Sequence, residues 1–376
     1  PWDLSSKYWG EQDANGNYTW EETSIGTAGN TAIQSSSGQN PTNRVWSLQA
    51  TLDYARSFGR HNVGATFVYH MKETRNDKAG TSNQKDLLPY REQGLAGRLT
   101  YNYDERYLLE ATFGYNGSEN FMKGHRFGFF PAIALGWTIS KEKFFQPLAP
   151  VVSNLKLRAT YGLVGNDALS TRFPYITEVN LSNSLGWWGT DGDYSRFNGP
   201  KVAVYGNELA TWEKSKKLNV GIDLELFKEL SLSVDYFKEK RTGIFMRRRS
   251  IPSFVGLGTL LPYANIGAVD NGGVDMGLTY NKQFGKDWTL MLNGSFTYAH
   301  NEIKNIDEPS NVEATYSQIG HPINSLRGYI AEGLFTSEEE IKNSPVQDLG
   351  SYGIGSIKYK DINNDKKIDA NDITTI

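Results

Sequence analysis

The chain has no cysteine, so disulfide bonds, thiolate catalysis and zinc–thiolate centres are excluded at the outset. It also has no apolar run near the roughly 20 residues that a membrane-spanning helix needs. Its hydrophobic share is only 38% and its mean hydropathy is -0.52, so spanning by helices is excluded. One-sided charge is missing too. With 39 basic and 42 acidic residues the net charge is -3, too little for a field that would gather nucleic acid. The histidines His61, His70, His125, His300 and His321 show no HExxH spacing, and neither a GxSxG elbow nor a GxxxxGK[ST] phosphate loop occurs. No enzymatic role is expected. The first residues, Pro1-Trp2-Asp3-Leu4, form neither a methionine start nor a signal peptide, and the chain reads as a piece of something longer.

What is present points to β structure. Aromatics make up 13% of the chain, and 38 glycines accompany 21 tyrosines and 9 tryptophans, a mix suited to strands with interfaces to anchor and tight corners to turn. The stretch from Leu99 to Ile139 sets the pattern. Leu99, Tyr101 and Tyr103 alternate with Thr100, Asn102 and Asp104; after a turn at Asp104-Glu105-Arg106, Leu109, Ala111, Phe113 and Tyr115 alternate with polar or small residues. Past a polar loop, Pro131, Ile133, Leu135, Trp137 and Ile139 supply a third strand. Such period-two alternation gives each strand one apolar and one polar face.

The same alternation recurs from Trp46 to Tyr54, Val63 to Met71, Leu155 to Tyr161, Leu218 to Leu226, Leu230 to Tyr236, Val274 to Tyr280 and Trp288 to Tyr298. About ten strands result, each roughly 9 to 14 residues long, against the roughly 9 to 11 needed to cross a bilayer at a tilt. The connections alternate in length. Tight joins at 58–61, 104–106, 228–229 and 285–287 lie on one side, and stretches such as 74–94, the fifty or so residues after Tyr161, and 242–272 lie on the other. Outer-membrane barrels have this asymmetry, with short turns at one rim and long loops at the other. The expected fold is therefore an all-β antiparallel transmembrane β-barrel. Residues 1–45 read as an extracellular loop region, 46–301 as the barrel strands with long outer loops, and 302–376 as a further extracellular loop. A soluble β-sandwich is the bland alternative, and periodicity alone does not separate the two, because the polar face could be either a wet lumen or an outer surface. Aromatics near strand ends (Trp46, Tyr69, Tyr103, Tyr107, Trp137, Phe227, Phe284, Trp288 and Tyr298) fit interfacial girdles.

The Tyr-rich hairpin followed by RFGFFPAIALGWTISKEKFF (Arg126 to Phe145) resembles the barrel of SusC/RagA-type TonB-dependent transporters from bacterial outer membranes. Further pieces resemble the family in the same order. They are YARSFGRHNVGATFVY, NLKLRATYGLVGND, LNVGIDLELFKELSLSVDYFKEKRTGIF, NIGAVDNGGVDMGLTYN, GHPINSLRGYIAEGLFTSEEEI and GSIKYKDINNDKKIDANDI. The resemblance implies part of a barrel of about 22 strands in the bacterial outer membrane. It implies TonB-dependent import of oligosaccharides or peptides, a SusD-like surface lipoprotein as partner, and contact with the TonB complex through an N-terminal part not seen here. Outer-membrane lipid is an expected partner, and nucleic acid is not. The alternative from another class is a surface-exposed β-rich adhesin or glycan-binding module with a calcium loop.

Three local features carry possible chemistry. Asp361, Asn363, Asp365, Lys367 (through its carbonyl), Asp369 and Asp372 occupy positions 1, 3, 5, 7, 9 and 12 of an EF-hand-like loop, a spacing that suits calcium's hard oxygen ligands. Against this, Lys366 stands where the turn glycine is usual, and the last ligand is Asp instead of Glu; a solvated Asn/Asp turn is the alternative. Second, Trp187, Trp188, Asp191, Asp193, Tyr194 and Arg196 place aromatics beside charge in a long loop, as a sugar or peptide site would. Packing of the loop on its neighbours is the commoner use of such aromatics. Third, Arg247-Arg248-Arg249 reads as a solvated loop or a contact to anionic lipid head groups.

Overall fold

Two-residue periodicity becomes a sheet only when neighbouring strands share a register, and here one register runs through nine strands of a ten-stranded sheet. The computed structural model describes residues 6–12, 15, 18–24, 42–77, 85, 88–188, 195–312 and 316–375. They fall into two compact units, Pro1–Asn43 with Asn76–Leu87, and Arg44–Arg75 with Leu88–Ile376. Within the first, β1 (Ser6–Gln12) and β2 (Tyr18–Ser24) form an antiparallel hairpin.

The main sheet consists of β3 (Thr42–Phe58), β4 (His61–Asp77), β5 (Tyr90–Tyr103), β6 (Tyr107–Ser118), β7 (Phe127–Thr138), β8 (Val152–Asn166), β11 (Glu213–Leu226), β12 (Leu230–Arg247), β13 (Tyr263–Phe284) and β14 (Trp288–Asn305). Between β8 and β11, β9 (Glu178–Trp188) and β10 (Ser195–Val204) pair only with each other. The sheet order is β14-β13-β12-β11-β8-β7-β6-β5-β4-β3, so every strand lies beside its sequence neighbour in the sheet, and among the described residues β3 and β14 are its two open edges.

Register decides the chemistry of the two faces. One row of directly opposed residues runs Val63, Tyr101, Leu109, Leu135, Ala159, Val220, Tyr236, Val274, Tyr298. Most of this apolar face is open: Leu135, Val220 and Tyr298 are 54%, 45% and 61% exposed. A row one residue away, on the other face, runs Asn62, Asn102, Leu108, Gly136, Arg158, Gly221, Asp235, Asp275, Thr297. A water-soluble sheet hides its apolar face and wets its polar one; this sheet presents a continuous apolar surface outward, which is stable only against hydrocarbon.

Two of the tight joins use the same solution. In Tyr103–Arg106 and Leu226–Glu229 the last N–H bonds the first carbonyl, at 2.9 and 3.0 Å. Both central residues are left-handed in each, Asp104 (φ 51) with Glu105 (φ 53) and Phe227 (φ 55) with Lys228 (φ 59). This turn twists the way paired strands twist and so closes a two-residue hairpin, at the cost of strain in four non-glycine residues. The longer join at 139–151 contains two short 3-10 turns, and Glu142 there accepts hydrogen bonds from Tyr107 Oη (2.7 Å) and Trp137 Nε1 (3.2 Å).

Strands on the long-loop side extend beyond their sequence pattern. Alternation suggests a loop over 242–272, yet β12 continues to Arg247 and β13 starts at Tyr263. The reason is a break in register between Thr242 and Phe245, which reverses the alternation without ending the pairing. At that end of the sheet Phe121, Phe130, Ala210, Trp212 and Phe245 form a buried cluster, with Leu163, Leu169 and Tyr263 packed against it.

After β14 the chain makes short pieces: β15 (Arg327–Gly328), β16 (Ala331–Leu334), helix α1 (Glu338–Asn343), β17 (Val346–Gln347), β18 (Ile357–Tyr359), β19 (Lys367–Ile368) and β20 (Thr374–Thr375). Ser337 caps α1 by accepting the Glu340 N–H. Phe335 and Ile368, 1% and 0% exposed, hold this region together.

Candidate functional site

The densest feature of the sheet's polar face is built around Arg158. From β8 the guanidinium donates to both carboxylate oxygens of Asp223 on β11, at 2.8 and 2.9 Å, and to Asp235 on β12 at 3.0 Å. Ser233 donates to Asp223 at 3.0 Å. The side chain can cross β11 because Gly221 stands directly opposite Arg158; a Cβ there would lie 2.3 Å from Asp235 Oδ1. Asp235 in turn faces Asp275 on β13, two like charges in register, and Asp235 Oδ1 has no hydrogen-bond partner among the described residues. Nearer the other edge, Arg98 clamps Glu110 through bonds of 2.9 and 2.7 Å. The wall therefore carries fixed charge of both signs, with acidic excess around Asp235.

The long-loop end is tied together by hydrogen bonds that alternation gives no hint of. Tyr90 Oη donates to Asp167, and Asn120 Nδ2 donates to the Asp167 carbonyl at 3.1 Å. Arg172 donates to the Leu88 carbonyl at 2.8 Å, and Trp212 Nε1 to the Arg126 carbonyl at 2.9 Å. Sequence reasoning misses this cluster; the residue type that marks it is Trp212, an aromatic just ahead of a polar strand start, Glu213-Lys214-Ser215.

Of the aromatic loop residues, Trp187 and Trp188 are the last two residues of β9, and the register sets Arg196 opposite Trp187 and Ser195 opposite Trp188. Arg196 is exposed. Asp191, Asp193 and Tyr194 lie outside the described residues. The hairpin thus brings Trp187, Trp188 and Arg196 to one tip.

The three arginines are bound by protein. Arg247 bonds the Tyr263 hydroxyl at 3.0 Å and lies 5.3 Å from its ring centroid. Arg248 pairs with Asp307 at 2.9 Å, and Asp307 also accepts the backbone N–H groups of Arg249 (2.8 Å) and Ser250 (3.1 Å). Arg249 reaches Gln318 at 3.4 Å. Burial alone would raise the Asp307 carboxyl, but Arg248 and these donors hold it below the usual carboxylate range. The run is thus a loop held by protein partners, with Arg247 and Arg249 still exposed.

In the acidic loop, Asp361 accepts the N–H groups of Asn364 (2.7 Å) and Lys366 (2.8 Å), and Asp365 accepts that of Lys367 (2.8 Å). Asn363 accepts the Asp365 N–H at 2.9 Å. Fully buried Asp372 accepts those of Ile362 and Asp369, both at 2.9 Å. Lys366 adopts φ 67, the left-handed conformation that glycine usually supplies at this loop position. Lys367 Nζ lies 2.9 Å from Asp348 and 3.2 Å from Asp369. The Asn371 N–H and then Lys367 hold the Asp369 carboxyl below its ordinary value. Among the described residues no group of three His, Cys, Asp or Glu side chains is gathered to hold a metal ion. The turn has the right backbone, while its carboxylates are committed to the loop's own N–H groups.

Comparison with known proteins agrees with the architecture. A family model for the TonB dependent receptor-like β-barrel matches residues 1–370. TonB-dependent receptor P3 of Formosa agariphila is 27% identical over 362 residues, covering 85% of this chain and 35% of that protein. TonB-dependent receptor SusC of Bacteroides thetaiotaomicron is 31% identical over 209 residues, covering 55% of this chain and 20% of SusC. The solved RagAB peptide transporter superposes with a TM-score of 0.68 at 20% identity, covering 89% of this chain and 37% of that one, a likeness of fold. The chain spans 20% to 37% of the length of the curated relatives it matches.

Proposed function

The chain belongs to the TonB-dependent receptor-like β-barrel family, and from that membership we propose that it forms part of the wall of a nutrient importer. Its family places it in the bacterial outer membrane, as a receptor of SusC and RagA type. The cargo we propose is an oligosaccharide or peptide, brought in with a SusD-like surface lipoprotein as cap and driven through the TonB complex.

One observation carries this reading: a single register sets a continuous apolar row outward and a polar, charged row inward across nine of the sheet's ten strands. Hydrocarbon takes the first face and a wet lumen the second. The inner wall, with Arg158, Asp223, Asp235 and Asp275, suits cargo that brings its own hydrogen bonds and charge. An adhesin or soluble glycan-binding module is disfavoured by the same observation, since its exposed sheet would aggregate in water. Within the importer, the tip carrying Trp187, Trp188 and Arg196, with Asp191, Asp193 and Tyr194 between them in sequence, is proposed to contact cargo. The loop from Asp361 to Asp372 is proposed to take calcium, its ligands exchanging internal N–H partners for the ion.

The experiment is uptake by cells carrying or lacking the gene, with fluorescent oligosaccharides and peptides supplied separately and the proton gradient intact or collapsed. Gene- and gradient-dependent accumulation of one class supports the proposal and names the cargo. Accumulation of both classes that ignores the gene overturns it.

A further inference from the structure

Towards the long-loop rim, the outer face of β4 to β7 turns from apolar to charged over four residues of strand. The register sets Tyr69, Leu95, Tyr115 and Phe129 in one row, Met71, Gln93, Gly117 and Phe127 in the next, and Glu73 opposite Arg91 in the one beyond. The four residues of strand from the first row to the third span roughly 13 Å, which at a barrel strand's tilt is depth enough to pass from acyl chains into head groups. At this level a cavity of about 500 Å³ opens on the sheet. Arg44, Trp46, Arg75, Arg91 and Phe127 are among its lining, with the carboxylates Glu73 and Glu119; Lys72 and Glu92, also in the lining, alternate to the opposite face and pair there at 3.3 Å.

The arginines are oriented but not saturated. Glu73 accepts Nε of Arg75 at 2.6 Å and Nε of Arg91 at 2.7 Å, while the two guanidinium side chains remain 51% and 49% exposed. Arg91 Nη1 also lies 3.8 Å from Glu119, beyond hydrogen-bond length; a guanidinium has five N–H donors, so both arginines keep donors for a further anion. Trp46 and Phe127, 49% and 46% exposed, add aromatic surface at this depth, where such rings favour the interface between lipid and water.

We propose that this cavity binds the phosphate head group of an anionic outer-leaflet lipid, whose chains descend along the row of Tyr69, Leu95, Tyr115 and Phe129. The inference rests on the membrane placement of the outer face and is independent of what the importer carries. Charge complementarity selects the phosphate, and the apolar row directly beneath selects a lipid over free phosphate.

The test is native mass spectrometry of the full-length protein in a neutral detergent, given equal amounts of dioleoylphosphatidylglycerol and dioleoylphosphatidylcholine. A basic side chain at a charged membrane surface favours an anionic lipid by roughly fivefold, so the wild type should retain the glycerol lipid at least that strongly over the choline lipid. Arg44→Gln with Arg75→Gln and Arg91→Gln should abolish the preference, and the matching Lys variant should keep most of it. Arg98→Gln, on the inner face, should leave it unchanged. Heat-dependent gel mobility reports whether each barrel is intact; should the triple variant not fold, Arg44→Gln alone and the Lys variant carry the comparison. Equal retention of the two lipids by the wild type, an unchanged preference in the Gln variants, or displacement of the lipid by millimolar inorganic phosphate overturns the proposal. So does a disulfide-linked dimer formed through Arg44→Cys in place of lipid retention, which would make the face a contact between copies.

Discussion

Arg158 on β8 and Asp223 on β11 meet through two parallel hydrogen bonds, Nε to Oδ2 at 2.8 Å and Nη2 to Oδ1 at 2.9 Å, with Gly221 as the gap that lets them meet. Each side chain keeps about a third of its surface open, 32% and 33%. The pair therefore lies between a surface salt bridge and a buried one. Arg158→Ala would leave Asp235 facing Asp275 with no guanidinium beside it, while Asp223 keeps Lys156 opposite, and should cost about 1 to 3 kcal/mol in urea unfolding of the full-length barrel in vesicles.

Gly221→Ala probes the same place from the backbone. Its Cβ would lie 2.3 Å from Asp235 Oδ1 and 3.0 Å from Arg158 Nη2, so the network must move aside. A loss of about 1 to 3 kcal/mol is expected in the same assay. Combined with Arg158→Ala the second loss should shrink, because there is less left to displace; full additivity would separate the glycine from the network.

The outer face should tolerate only apolar residues. Ile222→Arg or Leu292→Arg should each cost about 2 to 4 kcal/mol near the bilayer midplane, whereas polar replacements of inner-face Asn219 or Asn293 should be mild. Folding yields in lipid that are equal for both sets would contradict the membrane assignment of the faces.

Most of this architecture is legible in the sequence because the decisive signal is local. Alternation and turn position fix which face each residue of a hairpin joins, and once hairpins are joined by tight turns at one rim, sheet order follows without long-range information. Register shifts are not local in that sense. The break near Thr242 to Phe245 inverts the alternation, so the sequence reads as a loop where β12 and β13 are still paired. The aromatic cluster of Phe121, Phe130 and Trp212 is also invisible in the pattern, because its members come from three separate connections and strand ends. For the acidic loop, spacing reveals the ligand types but not that Lys366 adopts the left-handed turn or that Asp372 is spent on backbone N–H groups.

That loop gives a direct test of calcium. Isothermal titration of the full-length protein should show calcium-dependent heat, weakened markedly by Asp361→Ala and by Asp365→Ala, each of which removes one ligand charge. Heat that is absent, or unaffected by both substitutions, would leave a turn closed by its own hydrogen bonds.

Acid should loosen the arginine loop in a defined direction. The Asp307 carboxyl is held below its ordinary value by Arg248, Ser250 and Arg249, so its contribution is complete above the unfolded carboxylate pKa, about 3.9, and is lost as pH falls through the lower folded value. Hydrogen exchange of residues 248–262 should accelerate on that descent. Asp307→Asn should exchange fast already at neutral pH and respond little to acid.

The sheet's edges make the strongest demand on the rest of the protein. β3 and β14 run 17 and 18 residues, and the sheet order leaves each with a neighbour on one side only. In hydrocarbon every unpaired backbone group costs several kcal/mol, so neither edge can face lipid unless further strands pair with it or the two edges pair with each other. The relatives are well over twice as long as this chain, room enough for those strands. Residues 1–376 refolded alone into vesicles should therefore aggregate or stay protease-sensitive, whereas the full-length protein should acquire heat-modifiable mobility. In the full-length protein the amides of β3 and β14 should be as slow to exchange as those of β6 and β7. Fast exchange along either strand would mean that it stays an open edge, and a stable, protected barrel from the short chain alone would mean that β3 and β14 pair directly.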